Sequence, residues 1–350
     1  MKDEAHLMEL LNEILVTHSP PGEEDEIDAV LLKWLGAYCD QVSQDKFGNV
    51  IGILRGKSSR DPLRIMAHKD EIALAVKRIL DNGHILVDMS GCFYPWKMGE
   101  CPVDILGRGG IVKGVLSIGS LHTSPVNKIR DFIDKKPLTI NDVFVNTTLS
   151  KKELREQGVY PGTRIVVARE FKKPIVANHA VCGYNQDDKT AFAVMRLTLE
   201  RLRAKKFLPK EDIYFIGTSM EEVGSQGAAF ASSHLPGSRT LALEIGPVAE
   251  EYDVLLNNQP VIWYGPKGVY SKKTSDVLLD LAETLGFGAQ PAYYWGAGTD
   301  ASHTLQQGFC SMAACLSFPC DNTHGYEIAD IRGILNTSKL LTEAIIRNVI

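Results

Sequence analysis

The sequence predicts an α/β protein, a mostly parallel sheet with helices on both faces, split by a β-rich, barrel-like insertion. Two observations predict it. From Asp187 onward, short apolar runs alternate with amphipathic helical stretches, the pattern of a parallel sheet crossed over by helices. Between residues 73 and 165 the texture changes to short Val/Ile-rich pieces punctuated by glycine, as in "GHILVDM", "DILGRGGIVKGVLSIGS" and "PGTRIVVAR". The expected organisation is one discontinuous domain, residues 1–72 and 166–350, carrying an insertion at 73–165.

The elements follow in order. Leu7, Leu10, Leu11, Ile14 and Leu15 recur at helical spacing, and a second helix runs through Leu31, Leu32 and Leu35 after the break at "HSPPGEEDEI". "KFGNVIGILRG" is a turn leading into a strand, and "PLRIMAH" is the next strand. Inside the insertion, "SKKELREQG" is helical. Beyond it come a helix in "DKTAFAVMRLTLERLRAK", a strand in "IYFIGTS" and a small-residue helix in "GSQGAAFASSH". A strand in "TLALEIG", a helix in "TSDVLLDLAETLG", a strand in "GFCSMAACLSF" and a final helix over "IADIRGILNTSKLLTEAIIRNV" complete the list.

Bulk composition narrows the function. The chain has 350 residues, 44% hydrophobic and 23% charged, with a formal charge of −5, so it lacks the basic surface that nucleic-acid binding requires. No apolar run approaches bilayer length, and "MKDEAHLMELLNEIL" is an acidic helix rather than a signal peptide, so no membrane partner and a cytoplasmic location are expected. The seven cysteines are odd in number and form no CxxC, which predicts reduced thiols rather than disulfides or a thiolate zinc site.

The chemistry gathers at predicted strand ends. In "IMAHKDEIAL" an aliphatic strand runs into His68, Lys69, Asp70 and Glu71. Residues two apart share a strand face, so His68 and Asp70 project together, and a carboxylate beside an imidazole fixes its tautomer. "NQDDKTAF" places Asp187 and Asp188 at the mouth of a helix, and "IYFIGTSMEEVGSQG" ends on Glu221 and Glu222. Glu244 lies inside the apolar "LALEIG", where an unpaired carboxylate is costly to bury. "PCDNTHGYE" puts His324 between a strand and the last helix. Ligands in open α/β sheets gather at the carboxyl ends of strands. Imidazole and carboxylate donors without thiolates suit Zn²⁺, Co²⁺ or Mn²⁺, and their number exceeds the needs of one tetrahedral ion. A paired-ion site fits better.

These motifs, "AHKDE", "DDK", "EEVGSQGA", the acid of "LALEIG", "GTDAS" and "NTHGYE", resemble in order and spacing the M42 family of metallo-aminopeptidases. "SPPGEE", "KFGNVIG" and "LREQGVYPGTRIVV" extend the resemblance over essentially the whole chain. The chain departs from the family in having Ala73 for a common glycine, Lys189 for arginine, and no acidic Asp-Ile-Gly stretch near "VFVNTTL".

The resemblance implies a phosphorylase/hydrolase-like metallopeptidase domain that releases N-terminal residues from peptides with a free N-terminus. It implies two divalent ions per subunit, zinc or cobalt before manganese, with Asp187 bridging them. His68 and Glu244 would complete one ion site, and Glu222 and His324 the other. Glu221 would be the general base and Asp70 the partner of His68. It further implies a cis bond between Asp187 and Asp188, and an insertion that mediates dimers assembling into a dodecamer. Asp300 of "GTDAS" reads as a helix N-cap. Other uses of the site residues remain open: a deacylase or carboxypeptidase, a metal-stabilised assembly protein without turnover, or a two-carboxylate glycosidase.

Overall fold

A computed structural model describes residues 2–123, 126, 129, 137–266 and 268–350. The chain divides into two compact units, Met1–Asp70 with Pro174–Ile350, and Glu71–Lys173.

The first unit is built on one large sheet. Its four central strands, Glu211–Thr218, Ser58–His68, Arg239–Pro247 and Met312–Asp321, lie side by side and parallel. Antiparallel strands extend it on both flanks. Val50–Leu54 and Gln41–Gln44 lie beyond the first central strand, and Glu327–Asp330, Ala180–Gly183 and Ile175–Ala177 beyond the fourth.

Strand periodicity decides which helix covers which face. Ile213 and Phe215 join Ile65 and Ala67 in a core filled by Leu7, Leu31, Phe192 and Leu340 from four helices. The residues between them, Tyr214, Ile216 and Met66, pack on the opposite face against Ala228 and Ala231 of the small-residue helix Gln226–His234. Farther along the sheet, Ala242 and Cys315 pack with Trp263, Tyr294 and Ala301. Close approach of the small-residue helix demands Gly227, since a Cβ there would lie 2.3 Å from the Ser219 carbonyl oxygen.

Two local expectations change. The segment read as the start of the final helix, "IAD", lies in the strand Glu327–Asp330, and the helix spans Ile331–Ile346. His324 therefore sits between two strands. Three or four residues with mixed polarity carry no period that separates a short strand from a helix end. Asp330 caps the helix by accepting from the backbone N–H groups of Arg332 and Gly333.

The second unit is a closed, antiparallel six-stranded barrel. Around it run Ala73–Ile79, Ile85–Ser90, Phe144–Asn146, Gly110–Ser117, Cys101–Gly107 and Arg164–Val167. Alternate residues, among them Leu74, Val76, Val103, Ile105 and Ile165, fill its interior. The boundary read at 165 cuts the strand that closes the barrel, which pairs with Cys101–Gly107 as far as Val167. The unit ends instead after the helix Arg169–Lys172, whose buried Lys172 pairs with Glu71 at 2.6 Å. All seven cysteines are free thiols, five buried, Cys39 half-buried and Cys92 exposed.

Lys69 faces away from His68 and Asp70. It pairs with Glu24 at 3.0 Å and with Asp28, and donates to the Gly48 carbonyl at 2.8 Å. It thereby pins "SPPGEEDEID" beneath the strand end. Removing one member of such a buried cluster leaves acids without a counter-charge, which costs about 3–5 kcal/mol. Lys69→Ala is expected to lower the stability of the first unit by that amount in urea unfolding; a loss under 1 kcal/mol would contradict the assignment.

Candidate metal centre

Five ligand candidates meet at the carboxyl ends of the central strands. His68 is the last residue of Ser58–His68 and is buried. Its Nδ1 lies 3.1 Å from the backbone carbonyl of Asp70. A carbonyl only accepts, so Nδ1 carries a proton and Nε2 is the nitrogen turned inward, the one through which a ligating imidazole would bind an ion. That Nε2 is 2.9 Å from Asp187 Oδ1. The other oxygen of the same carboxylate, Oδ2, is 3.2 Å from His324 Nε2. One carboxylate thus offers one oxygen to each imidazole. His324 Nε2 is also 3.7 Å from Glu222 Oε1. Ligand atoms of His68, Asp187 and Glu222 lie within 4.8 Å of one another, as do those of His68, Asp188 and Glu244.

The electrostatics show what this arrangement lacks. Burial, together with neighbouring carboxylates, drives Glu222, Glu244 and Asp188 well above the usual carboxylate range. Among the described residues, no lysine or arginine pairs with any of the three. Asp187 behaves oppositely: against the cost of burial, hydrogen bonds from His324 and His68 hold its carboxyl below the ordinary range. Crowded acids, correctly presented imidazoles and the absence of a protein cation make a donor set that fits divalent ions.

Glu221 and Glu222 sit in a hydrogen-bonded turn after the strand Glu211–Thr218, not in extended backbone. Asp70 holds that turn. Its Oδ1 accepts from the Glu221 N–H at 2.9 Å and its Oδ2 from the Glu222 N–H at 3.1 Å. Asp70 is also the neighbour of His68 that was expected, through its backbone carbonyl on Nδ1 and a carboxylate 3.6 Å from that nitrogen, and its hold on the turn comes in addition. Short-range spacing reveals only the neighbour two residues away, whereas these partners lie about 150 residues downstream.

Glu221 Oε2 is 4.0 Å from His68 Nε2. Burial and repulsion from Asp300 and Asp70 push its carboxyl up to about 8. On its other side Ser225 Oγ donates to Oε1 at 3.3 Å, and His303 Nδ1 lies 2.9 Å from Ser225 Oγ and 3.2 Å from the Thr299 carbonyl. The carbonyl fixes the His303 proton on Nδ1, so Ser225 accepts from His303 and donates to Glu221.

Asp300 is not the cap of its helix. Thr299 is, in a reciprocal box with Ser302, while the Asp300 carboxylate hydrogen-bonds the Thr218 hydroxyl. Asp188 accepts from the backbone N–H of His68 at 3.2 Å. The Asp187–Asp188 bond is cis, as the resemblance implied. Ser225, His303 and Glu327 were not singled out from the sequence. Polar residues near the ends of elements ordinarily face water, and nothing local marks these as inward.

Comparison with known proteins places the chain in a family. The family model described as M42 glutamyl aminopeptidase matches residues 48–340. The lysyl aminopeptidase of Pyrococcus furiosus is 25% identical over 345 residues, covering 95% of this chain and 94% of that protein. In fold, the chain is similar to the aminopeptidase APDkam598 from the archaeon Desulfurococcus kamchatkensis, with a TM-score of 0.87 at 24% identity over 98% of this chain and 95% of that one. It is similar also to the Pyrococcus horikoshii TET1 peptidase, which can assemble into a tetrahedron or a large octahedral shell, with a TM-score of 0.85 at 24% identity over 97% and 99%. With the family model spanning most of the chain and the strand-end site in place, this protein belongs to the M42 family of peptidases and is a metal-dependent aminopeptidase.

Proposed function

We propose that the chain releases N-terminal residues from peptides with a free amino terminus, using two divalent ions. His68 and Glu244 would hold one, Glu222 and His324 the other, with Asp187 shared. The observation that carries this reading is the Asp187 carboxylate, whose two oxygens each face a different imidazole. Bound ions at such a centre polarise the scissile carbonyl and acidify water.

The side chains supply the rest. Glu221 stands beside His68 without being needed as a ligand. It is suited to take a proton from the attacking water and to return it to the leaving amine. Asp70 sets its position through the backbone of the turn. The barrel unit is proposed to carry subunit contacts in a dimer and, from dimers, a dodecamer, in line with the assembly of the Pyrococcus horikoshii protein.

Four measurements test this. Glu221→Gln should keep both metals, by metal analysis, and lose turnover by at least about 100-fold, the lower end of a positioned base's contribution. Asp187→Ala should lose metal; a fully loaded Asp187→Ala protein would reverse the ligand assignment. Assayed with Co²⁺, Zn²⁺ or Mn²⁺ after chelation, a free peptide should be cleaved and its N-acetylated form spared. Equal cleavage of the two would favour a carboxypeptidase instead, and cleavage of the acetylated form alone a deacylase. Replacing residues 72–172 by a short linker should yield a folded first unit of monomer mass by light scattering, and retention of the native assembly would remove the barrel from that role.

A further inference from the structure

We infer that Glu327 is a positioning residue for the metal centre, one buried carboxylate that sets the backbone of both Asp187 and His324. The inference rests on the paired-ion reading above, and it concerns a residue that reading leaves unused.

Glu327 opens the strand Glu327–Asp330 and is 1% exposed. Its Oε2 accepts from the Gln186 N–H at 2.6 Å and the Asp187 N–H at 3.2 Å. Its Oε1 accepts from the His324 N–H at 3.0 Å. The contact is reciprocated, since Gln186 Nε2 donates to the Glu327 backbone carbonyl at 3.0 Å. Strand register brings them together: Glu327 is opposite Gly183, so its side chain reaches the elbow that follows.

Both segments it holds need holding. Asn185 (φ 65°) and His324 (φ 57°) occupy the left-handed region, which a residue with a side chain keeps only where its surroundings fix it. Glu327 ties these two turns to each other, although Asp187 and His324 are far apart in sequence. The spacing between the Asp187 carboxylate and the His324 imidazole is therefore set by one rigid carboxylate. With both oxygens taken by backbone N–H groups, Glu327 is a support and not itself a ligand. Changes to such supports typically cost 10–100-fold in metal affinity.

A glutamine cannot replace it. One end of the amide would accept, but the other would present N–H to N–H. An aspartate, one methylene shorter, cannot reach both turns. The test titrates chelated wild-type protein, Glu327→Gln and Glu327→Asp with CoCl₂, following the visible absorption of bound cobalt and equivalents retained after dialysis. Far-UV circular dichroism and thermal melting are recorded alongside.

Wild type should take up two equivalents. Each variant should take up the first with near-normal affinity and the second 10–100-fold more weakly, because only one ion depends on both Asp187 and His324. Two equivalents bound by both variants with wild-type affinity would overturn the inference. So would parallel weakening of both ions with a lowered melting point, the signature of a general folding role. Should the glutamine variant fail to fold, the aspartate variant decides by the same criteria. A wild-type titration that stops short of two equivalents sinks the paired-ion reading, and this inference with it.

Discussion

A carboxylate shielded from water must find a positive partner or give up its charge, and this molecule places several of them at one end of one sheet. Asp187, Glu221, Glu222 and Glu244 converge there with Asp188 and Asp300 close behind, and among the described residues no lysine or arginine enters the group. The basic residues of the neighbourhood are spent elsewhere. Lys69 turns to Glu24 and Asp28, and Lys189 donates to the Thr17 carbonyl. The deficit of positive charge is thus a property of the architecture, and divalent ions are what it calls for.

The supporting acids lean on the backbone instead. Asp70, Asp188 and Glu327 accept from backbone N–H groups at residues proposed as ligands or base. Partial charges on amides offset part of each carboxylate's burial without adding a full cation that would compete for the site. The same bonds hold turns that have no regular secondary structure to define them. Placing the ligands and stabilising the acids that surround them are therefore one set of interactions.

Legibility in the sequence followed the range of the interaction. His68 after "PLRIMA", Glu244 inside "LALEIG" and the acids of "DDK" and "EE" stood out because local context makes them anomalous: charge where apolar residues should continue. The alternation of strands and helices read correctly for the same reason, as did the glycine-punctuated barrel. What escaped depends on contacts between distant segments. The hold of Asp70 on the Glu221–Glu222 turn was hidden because only His68 was near it in sequence. Nothing near Glu327 or the Ser225–His303 pair marked them as inward. Asp300 looked like a cap because a polar residue at a helix start usually is one, and only the fold shows its neighbour Thr299 in that position.

The candidate ligand set begins at residue 68 and closes at 324, with the entire barrel encoded between its first and second members. During synthesis the barrel can fold as soon as Val167 emerges, since all six of its strands are then available. The centre cannot. His324 and the strand Glu327–Asp330 follow only after the central strand Met312–Asp321 that leads to them. A nascent chain therefore carries all six barrel strands long before it carries the second imidazole. The order of residues along the polypeptide sets the metal centre to be completed well after the barrel that interrupts it.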